Sequence, residues 1–292
     1  MTSAVSEIWR YPVKSFAGEK LSSAELTQTG IPYDRYWAVR DVESGELLGG
    51  RSVAELMMFS ARFCEDPTET RQIAEITFPD GATRRTDDDQ IDESLSRALN
   101  RKVVLSEVKD VSDKDYYARP QSFTFTPDII RRSFGLEADE PLTDLSGKTK
   151  VSAAYIENWQ TYRTRPGTHF DTSTLHILTE ASIRHIQALL PDAEINVRRF
   201  RPNIVVSDQE SASAPIEFEW VHKHLAIGTC LIDVTWETVR CIMTTREQAE
   251  LPKAAKVMRT LVRNTQQNLG VCAEVIKTGR IAIGDSVDVV VP

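Results

Sequence analysis

No run in this sequence approaches the roughly 18 consecutive apolar residues needed to cross a bilayer. The opening, MTSAVSEIWRYPVKS, has no basic stretch followed by an apolar one, as an export signal would. The chain is therefore expected in the cytoplasm, away from membranes. Cysteine is scarce: Cys64, Cys230, Cys241 and Cys272 are the only four, and none is spaced CxxC. That pattern argues against a zinc ribbon and a disulfide framework. The motifs GxGxxG, GxxxxGK[ST] and GxSxG are missing, so Rossmann, P-loop and elbow-type hydrolase readings lack their local signatures. A basic excess is missing too. With 35 Lys and Arg against 43 Asp and Glu, the net charge of −8 repels a polyphosphate backbone, and no nucleic-acid partner is expected.

What is present is enough for a sizeable core, since 292 residues with 41% hydrophobic content make one large or two modest domains. The first third reads as short strands between turn signals: VSEIWRYPV, AELTQ, YWAVRD, FSARFCE, IAEITF and KVVLSEV. One helix interrupts them in DDDQIDESLSRALN, whose Asp87 to Asp89 read as a solvated helix start in preference to a metal site. Residues 109–150, polar and punctuated by Pro120, Pro127, Gly135, Pro141 and Gly147, mark the connection between domains. Beyond them, TLHILTEASIRHIQALLP reads as strand into helix, with Ile183, Ile186, Ala188, Leu189 and Leu190 on its apolar side. NIVVS, LAIGTCLIDVTW, AEVIK and DSVDVVV read as strands. LPKAAKVMRTLVRN reads as a helix with Pro252 near its first turn and Val257, Met258, Leu261 and Val262 inward. The fold class is mainly β with some helices, an N-terminal β-barrel-like domain followed by a second barrel-type domain.

Three separated segments set basic and hydrogen-bonding residues beside turn-forming ones: YPVKS (Lys14, Ser15), YDRYW (Asp34, Arg35) and RRFRPNIVV (Arg199, Arg201, Asn203). Such patches suit an anion, although each residue alone reads as half of a surface ion pair in preference. Cys241 follows Arg240 in TWETVRCIMTT, and a nearby cation favours the thiolate if the side chains meet. On its own residues, Cys241 reads as a buried core thiol, and Cys64 and Cys230 more so. His222 and His224 would share a strand face with no third ligand at metal spacing, and read as exposed polar positions; the same caution covers His176 and His185.

In combination, YPVKS, YDRYW, DTSTLHILTEASI, RFRPNIVV, RCIMTT and the closing GRIAIGDSVDVV resemble, in order along nearly the whole chain, the two-domain MOSC proteins. That group includes the mitochondrial amidoxime-reducing component and related bacterial reductases, and ENWQTYRTRPGTHFDTS resembles a bacterial-type member. The resemblance implies an N-terminal domain over 1–118 and a MOSC domain over 119–292. It implies a molybdenum cofactor, with Cys241 as the metal-ligating, catalytic thiolate and Arg240 beside it. Lys14, Ser15 and Arg35, with Thr172, Ser173, Arg201 and Asn203, would contact the cofactor. His169 and Asp171 would lie at the site mouth or in a loop.

The implied activity is reduction of N-oxygenated small molecules, such as hydroxylamines, amidoximes and N-hydroxylated bases, by oxygen-atom transfer. A cofactor carrier without turnover and a reductase of a single metabolite are the alternatives. No iron–sulfur ligands are expected in this chain, so electrons would come from a separate ferredoxin- or flavin-type protein; the reading is compatible with a monomer. Some relatives carry an aromatic residue after the late glycine where this chain has NLGVCAEV. Cys272 there reads as a small hydrophobe or as a second thiol near the cofactor.

Overall fold

The computed structural model describes residues 3–119, 123–124, 126–142, 160–208 and 214–291. Pro120, Gly147 and the start of ENWQTYRTRPGTHFDTS lie outside them. Mainly β architecture follows from the density of short alternating segments. The six N-terminal strand segments become β1 (Ala4–Arg10), β3 (Ser23–Leu26), β4 (Trp37–Asp41), β5 (Ser60–Phe63), β6 (Ala74–Thr77) and β8 (Val103–Glu107). Two three-residue strands, β2 (Glu19–Leu21) and β7 (Thr83–Arg85), are too short for a periodic signal and were not expected. The helix DDDQIDESLSRALN is α1 (Ile91–Ala98), with Ile91 and Leu95 buried.

The second half contributes β9 (Leu175–Thr179), β10 (Ile204–Ser207), β11 (His224–Ile227), β12 (Cys230–Val239), β13 (Asn268–Lys277), β14 (Gly279–Ala282) and β15 (Val287–Val290). One sheet runs β15-β11-β12-β13-β9-β10-β1-β2, antiparallel apart from the parallel pair β9 and β10. Val5 N–H donates to Asp285 O and Val287 N–H to Ser3 O, both at 2.9 Å, so the far strand returns to β1 and the sheet closes. The closed wall encloses Val5, Ile8, Leu175, Ile177, Ile204, Val234 and Val271. The chain's first strand thus belongs to the sheet of its second half, and β3 pairs with β14. A separate core of Val13, Phe16, Val39, Leu56, Phe59, Ile76 and Leu95 fills the N-terminal part.

The connecting segment is partly ordered into α2 (Lys114–Tyr117) and α3 (Pro127–Phe134). Tyr117 is fully buried. Thr126 caps α3 by accepting from Ile129 N–H at 3.2 Å, Pro127 starts it, and Gly135 ends it at φ 67°. α4 (Glu180–Leu189) buries Ala181, Ser182 and Ile186. Leu189, expected inward, is exposed, as is Ala188; they are the last two residues of the helix, where it runs out past the core. α5 (Lys256–Thr265) buries Val257, Met258 and Leu261 as expected, with Val262 half-buried. It begins four residues beyond Pro252, whose carbonyl instead accepts from Arg199 at 2.6 Å. No helix among the described residues is long and apolar enough to cross a membrane.

Glu217, fully buried, sits against the start of α4 and accepts from Thr179 Oγ1 at 2.6 Å and Ser182 Oγ at 2.5 Å. Burial pushes its carboxyl above the ordinary glutamate range, and the two hydroxyls offset only part of that. The folded state then holds a proton the unfolded state releases, so this group's contribution to stability falls as pH rises between the ordinary and the raised value. Thermal melts of wild type and Glu217→Gln should lie closest below the ordinary glutamate value, at about pH 4, and separate in the variant's favour as pH rises above it. A gap that widens in favour of wild type on raising pH would mean that the carboxylate is the supported form.

Candidate active site

The site begins with loops that break regular structure. Ser15, Arg35 and Arg201 all adopt the left-handed backbone region, at φ 70°, 55° and 54°, where non-glycine residues are uncommon and concentrate at functional positions. Their segments converge on one cavity of about 210 Å³. All nine residues named from the sequence line it: Lys14, Ser15, Arg35, Thr172, Ser173, Arg201, Asn203, Arg240 and Cys241. Arg51, Asp171, His176, Phe134, Trp236, Thr238 and Cys272 line it too.

Asp34 holds the convergence together. Its side chain is fully buried and accepts from Tyr11 N–H at 2.8 Å and Asn203 Nδ2 at 2.7 Å, while pairing with Arg35. Asn203 also donates to Trp9 O and accepts from His176 N–H. With both amide hydrogens committed, Asn203 acts as a brace between β1, β9 and the YDRYW turn. The Tyr11 ring lies beneath two guanidiniums, Arg35 at 4.8 Å and Arg201 at 4.2 Å, and its hydroxyl donates to Pro202 O at 2.9 Å.

The cationic side chains differ in how far they are already engaged. Lys14 Nζ donates to Asp171 Oδ1 at 2.6 Å and His169 O at 2.8 Å, and Arg51 approaches the same carboxylate at 3.5 Å. Burial opposes ionisation of Asp171, but Lys14 and Arg51 outweigh it and hold the carboxyl well below its usual range. Arg199, grouped with the anion patch from sequence, is fully buried and donates to the carbonyls of Glu194, Arg246 and Pro252. It secures the turn before β10, with its guanidinium committed to backbone carbonyls.

Arg201 donates to Phe16 O, and its Nη2 has no hydrogen-bond partner among the described residues. Burial pushes its pKa down to about 10. Arg240, 8% exposed, donates from Nη2 to Phe200 O at 2.7 Å and from Nη1 to His176 Nε2 at 3.2 Å, and its Nε also lacks a partner among the described residues. Burial lowers the Arg240 pKa, and Cys241 and Cys272 act against that. Both guanidiniums therefore rest on uncharged acceptors with one buried nitrogen each left unpartnered among the described residues, an arrangement that an anion in the cavity would relieve.

Cys241 ends the extended run of β12 and opens a 3-10 turn, Ile242–Thr245, whose Thr244 N–H and hydroxyl return to Cys241 O at 3.2 and 3.1 Å. It is half-buried on the cavity wall, not the core thiol its local pattern suggested. Cys64, also read as a core thiol, is exposed: it falls one residue beyond inward Phe63, on the outer side of the alternation. Cys230 is buried as expected. His222 and His224 do not share a strand face, because His222 takes a left-handed turn at φ 66° before β11.

Sequence reasoning missed His176. It lies opposite Cys272, which lies opposite Trp236, so the three form one row across β9, β13 and β12 on the cavity floor. Burial, then Arg240, keeps the imidazole neutral well below its usual pKa. Because Arg240 can only donate, His176 Nε2 is the acceptor and its proton belongs on Nδ1. Gly270 makes room for the ring: a Cβ there would lie 2.2 Å from His176 Nε2. The local signal was the isolated Gly270 inside a strand, at φ 75°. His169 is also buried, bonded through its ring to Tyr116 Oη and Arg35 O at 3.1 Å each, and burial pushes its pKa down to about 3. It is a brace behind Lys14 and Arg35.

Two family models match this chain: the MOSC N-terminal beta barrel domain over residues 2–105 and the MOSC domain over residues 164–288. The chain belongs to the MOSC-domain proteins. Similar curated proteins include mitochondrial amidoxime reducing component 2 of Bos taurus, 24% identical over 97% of this chain and 82% of the relative. Mitochondrial amidoxime-reducing component 1 of Danio rerio is 25% identical over 97% and 83%. Among solved structures, the YUAD protein of Bacillus subtilis aligns with a TM-score of 0.44 at 11% identity, covering 99% of this chain and 96% of that one. In this MOSC protein the cavity is built from both matched regions, with Lys14 and Arg35 from the first and Arg201, Arg240 and Cys241 from the second.

Removing the Asp34 carboxylate leaves Tyr11 N–H, the Asn203 amide and Arg35 without their shared acceptor. Asp34→Ala should cost about 3 kcal/mol of stability, as breaking buried ion pairs does. Urea unfolding would measure this, and a loss under about 1 kcal/mol would place the convergence on other contacts.

Proposed function

We propose that this protein is a molybdenum-cofactor-dependent reductase of N-oxygenated compounds. The observation that carries the reading is the cavity's combination of a half-buried thiol, Cys241, with two guanidiniums, half-buried Arg201 and buried Arg240, that lack an anionic hydrogen-bond acceptor among the described residues. A phosphate-bearing, sulfur-ligated metal cofactor matches both needs: an anion for the guanidiniums and a thiophilic centre for the sulfur. The MOSC domain and the similarity to amidoxime reducing components support the same class.

When bound, the cofactor supplies the two-electron reduction that removes oxygen from nitrogen. Cys241 would hold the metal through its thiolate, and Arg240 beside it would carry the balancing charge. Arg201 Nη2 and Arg35, both stacked on Tyr11, would hold the cofactor's phosphate with Lys14. Ser15, Thr172 and Ser173 add hydroxyls on the rim; Ser15 Oγ accepts from Gly50 N–H at 2.9 Å and keeps its own proton for a ligand. Asn203 positions Asp34 and through it Arg35. Asp171 holds Lys14 in the cavity wall.

This reading places the N-terminal domain in 1–118 and the MOSC domain in 119–292. It gives the chain a small-molecule substrate in the cytoplasm, with electrons from a separate ferredoxin- or flavin-type protein.

Protein from a host competent in molybdenum-cofactor synthesis should contain near-stoichiometric molybdenum by mass spectrometry, and Cys241→Ala should contain far less. Absence of molybdenum from wild type would overturn the assignment. Bound molybdenum without reduction of an amidoxime under an artificial reductant would make the protein a carrier.

Lys14→Ala and Arg201→Ala should each release the cofactor more readily. Losing one charge-assisted phosphate contact of about 1.5–3 kcal/mol corresponds to roughly 10- to 150-fold in affinity. Full retention in both variants would remove these two residues from the phosphate site.

A further inference from the structure

Cys272 occupies the middle of the cavity floor, in the cross-strand row between Trp236 and His176. Its Sγ lies 3.3 Å from Thr238 Oγ1 and 4.0 Å from Thr172 Oγ1, so two hydroxyls flank the sulfur. Thr172 is exposed and gives this edge of the cavity a path to solvent. Arg240 lines the same cavity, and its guanidinium is more than nine-tenths buried with an unpartnered Nε among the described residues.

The other thiols lack this setting. Cys272 is itself 2% exposed but lines the cavity, whereas Cys230 is packed in the barrel core away from it, where burial pushes its thiol up to about 11. Cys64 is exposed but outside the cavity, and partial burial of its sulfur, with Glu75 nearby, pushes its thiol up as well. Cys241 shares the cavity but has no side-chain hydroxyl bonded to its sulfur among the described residues.

We propose that Cys272, flanked by Thr238 and Thr172, is a second reactive thiol of this protein and the site at which small hydroperoxides modify it. In the step, the Cys272 sulfur attacks one peroxide oxygen, an S–O bond forms and the O–O bond breaks. The other oxygen leaves with the thiol proton, as water from hydrogen peroxide or as an alcohol from an alkyl hydroperoxide. The sulfur is oxidised by two electrons to a sulfenic acid and the peroxide is reduced by two. Thr238 and Thr172 are placed to hydrogen-bond the new oxygen, which then projects into the cavity. Cys272 and Thr238 hold no role in the molybdenum reading, although they share its cavity, so the oxidation can be read on protein without cofactor.

The test uses the full-length protein purified without cofactor supplementation, exposed briefly to hydrogen peroxide and quenched into denaturant containing dimedone, which traps sulfenic acids. Peptide mass spectrometry should find the adduct on Cys272 ahead of Cys64 and Cys230. The adduct should disappear in Cys272→Ala, and Thr238→Val should form it severalfold more slowly while retaining the wild-type melting temperature. Adducts on Cys64 or Cys241 with Cys272 unmodified would overturn the proposal, as would an undiminished rate of Cys272 labelling in Thr238→Val.

Discussion

The buried carboxylate of Asp34 is the interaction on which the rest of the site depends. Three donors meet it, from Tyr11, Asn203 and Arg35, which belong to three segments far apart in sequence. A charge so enclosed is tolerated only when its lone pairs are filled. Filling them fixes the YPVKS turn, the YDRYW turn and the turn before β10 relative to one another. Tyr11 then becomes a platform for Arg35 and Arg201, and the left-handed backbones of Ser15, Arg35 and Arg201 are held by surroundings that leave no alternative.

Around that anchor the protein keeps positive charge out of water. Lys14 is matched by Asp171, and Arg35 by Asp34, while Arg201 and Arg240 rest on carbonyls and an imidazole. The chain as a whole is acidic, at net −8, so this local excess is a property of the cavity and not of the surface. An anion in such a site would be held by proximity and geometry, since long-range attraction works against it.

His176 and Cys272 show how the closed sheet shapes the floor of the cavity. Neither stands beside a motif that names it, yet adjacent strands set them in one row with Trp236. Gly270 supplies the space and Arg240 fixes the tautomer of His176. The chemistry of the floor is therefore a consequence of register, in which side chains directly opposite share a face.

The sequence by itself determined the mainly β class, most strands and the α4 and α5 helices, because alternation and 3.6-residue periodicity are local signals. Through segments quoted in order along the chain, and the family they resemble, it also named nine of the residues that line the cavity. Tertiary structure decided what those residues do for one another: that Asn203 and His169 brace, that Arg199 secures a turn, that Cys64 faces out, and that His176 and Cys272 belong to the site. It also decided that β1 completes the sheet of the second half. Long-range pairing, burial and hydrogen-bond saturation settle those roles, and none is encoded in neighbouring residues. The short strands β2 and β7 stayed hidden for a related reason: three residues carry no period, and only their partners make them strands.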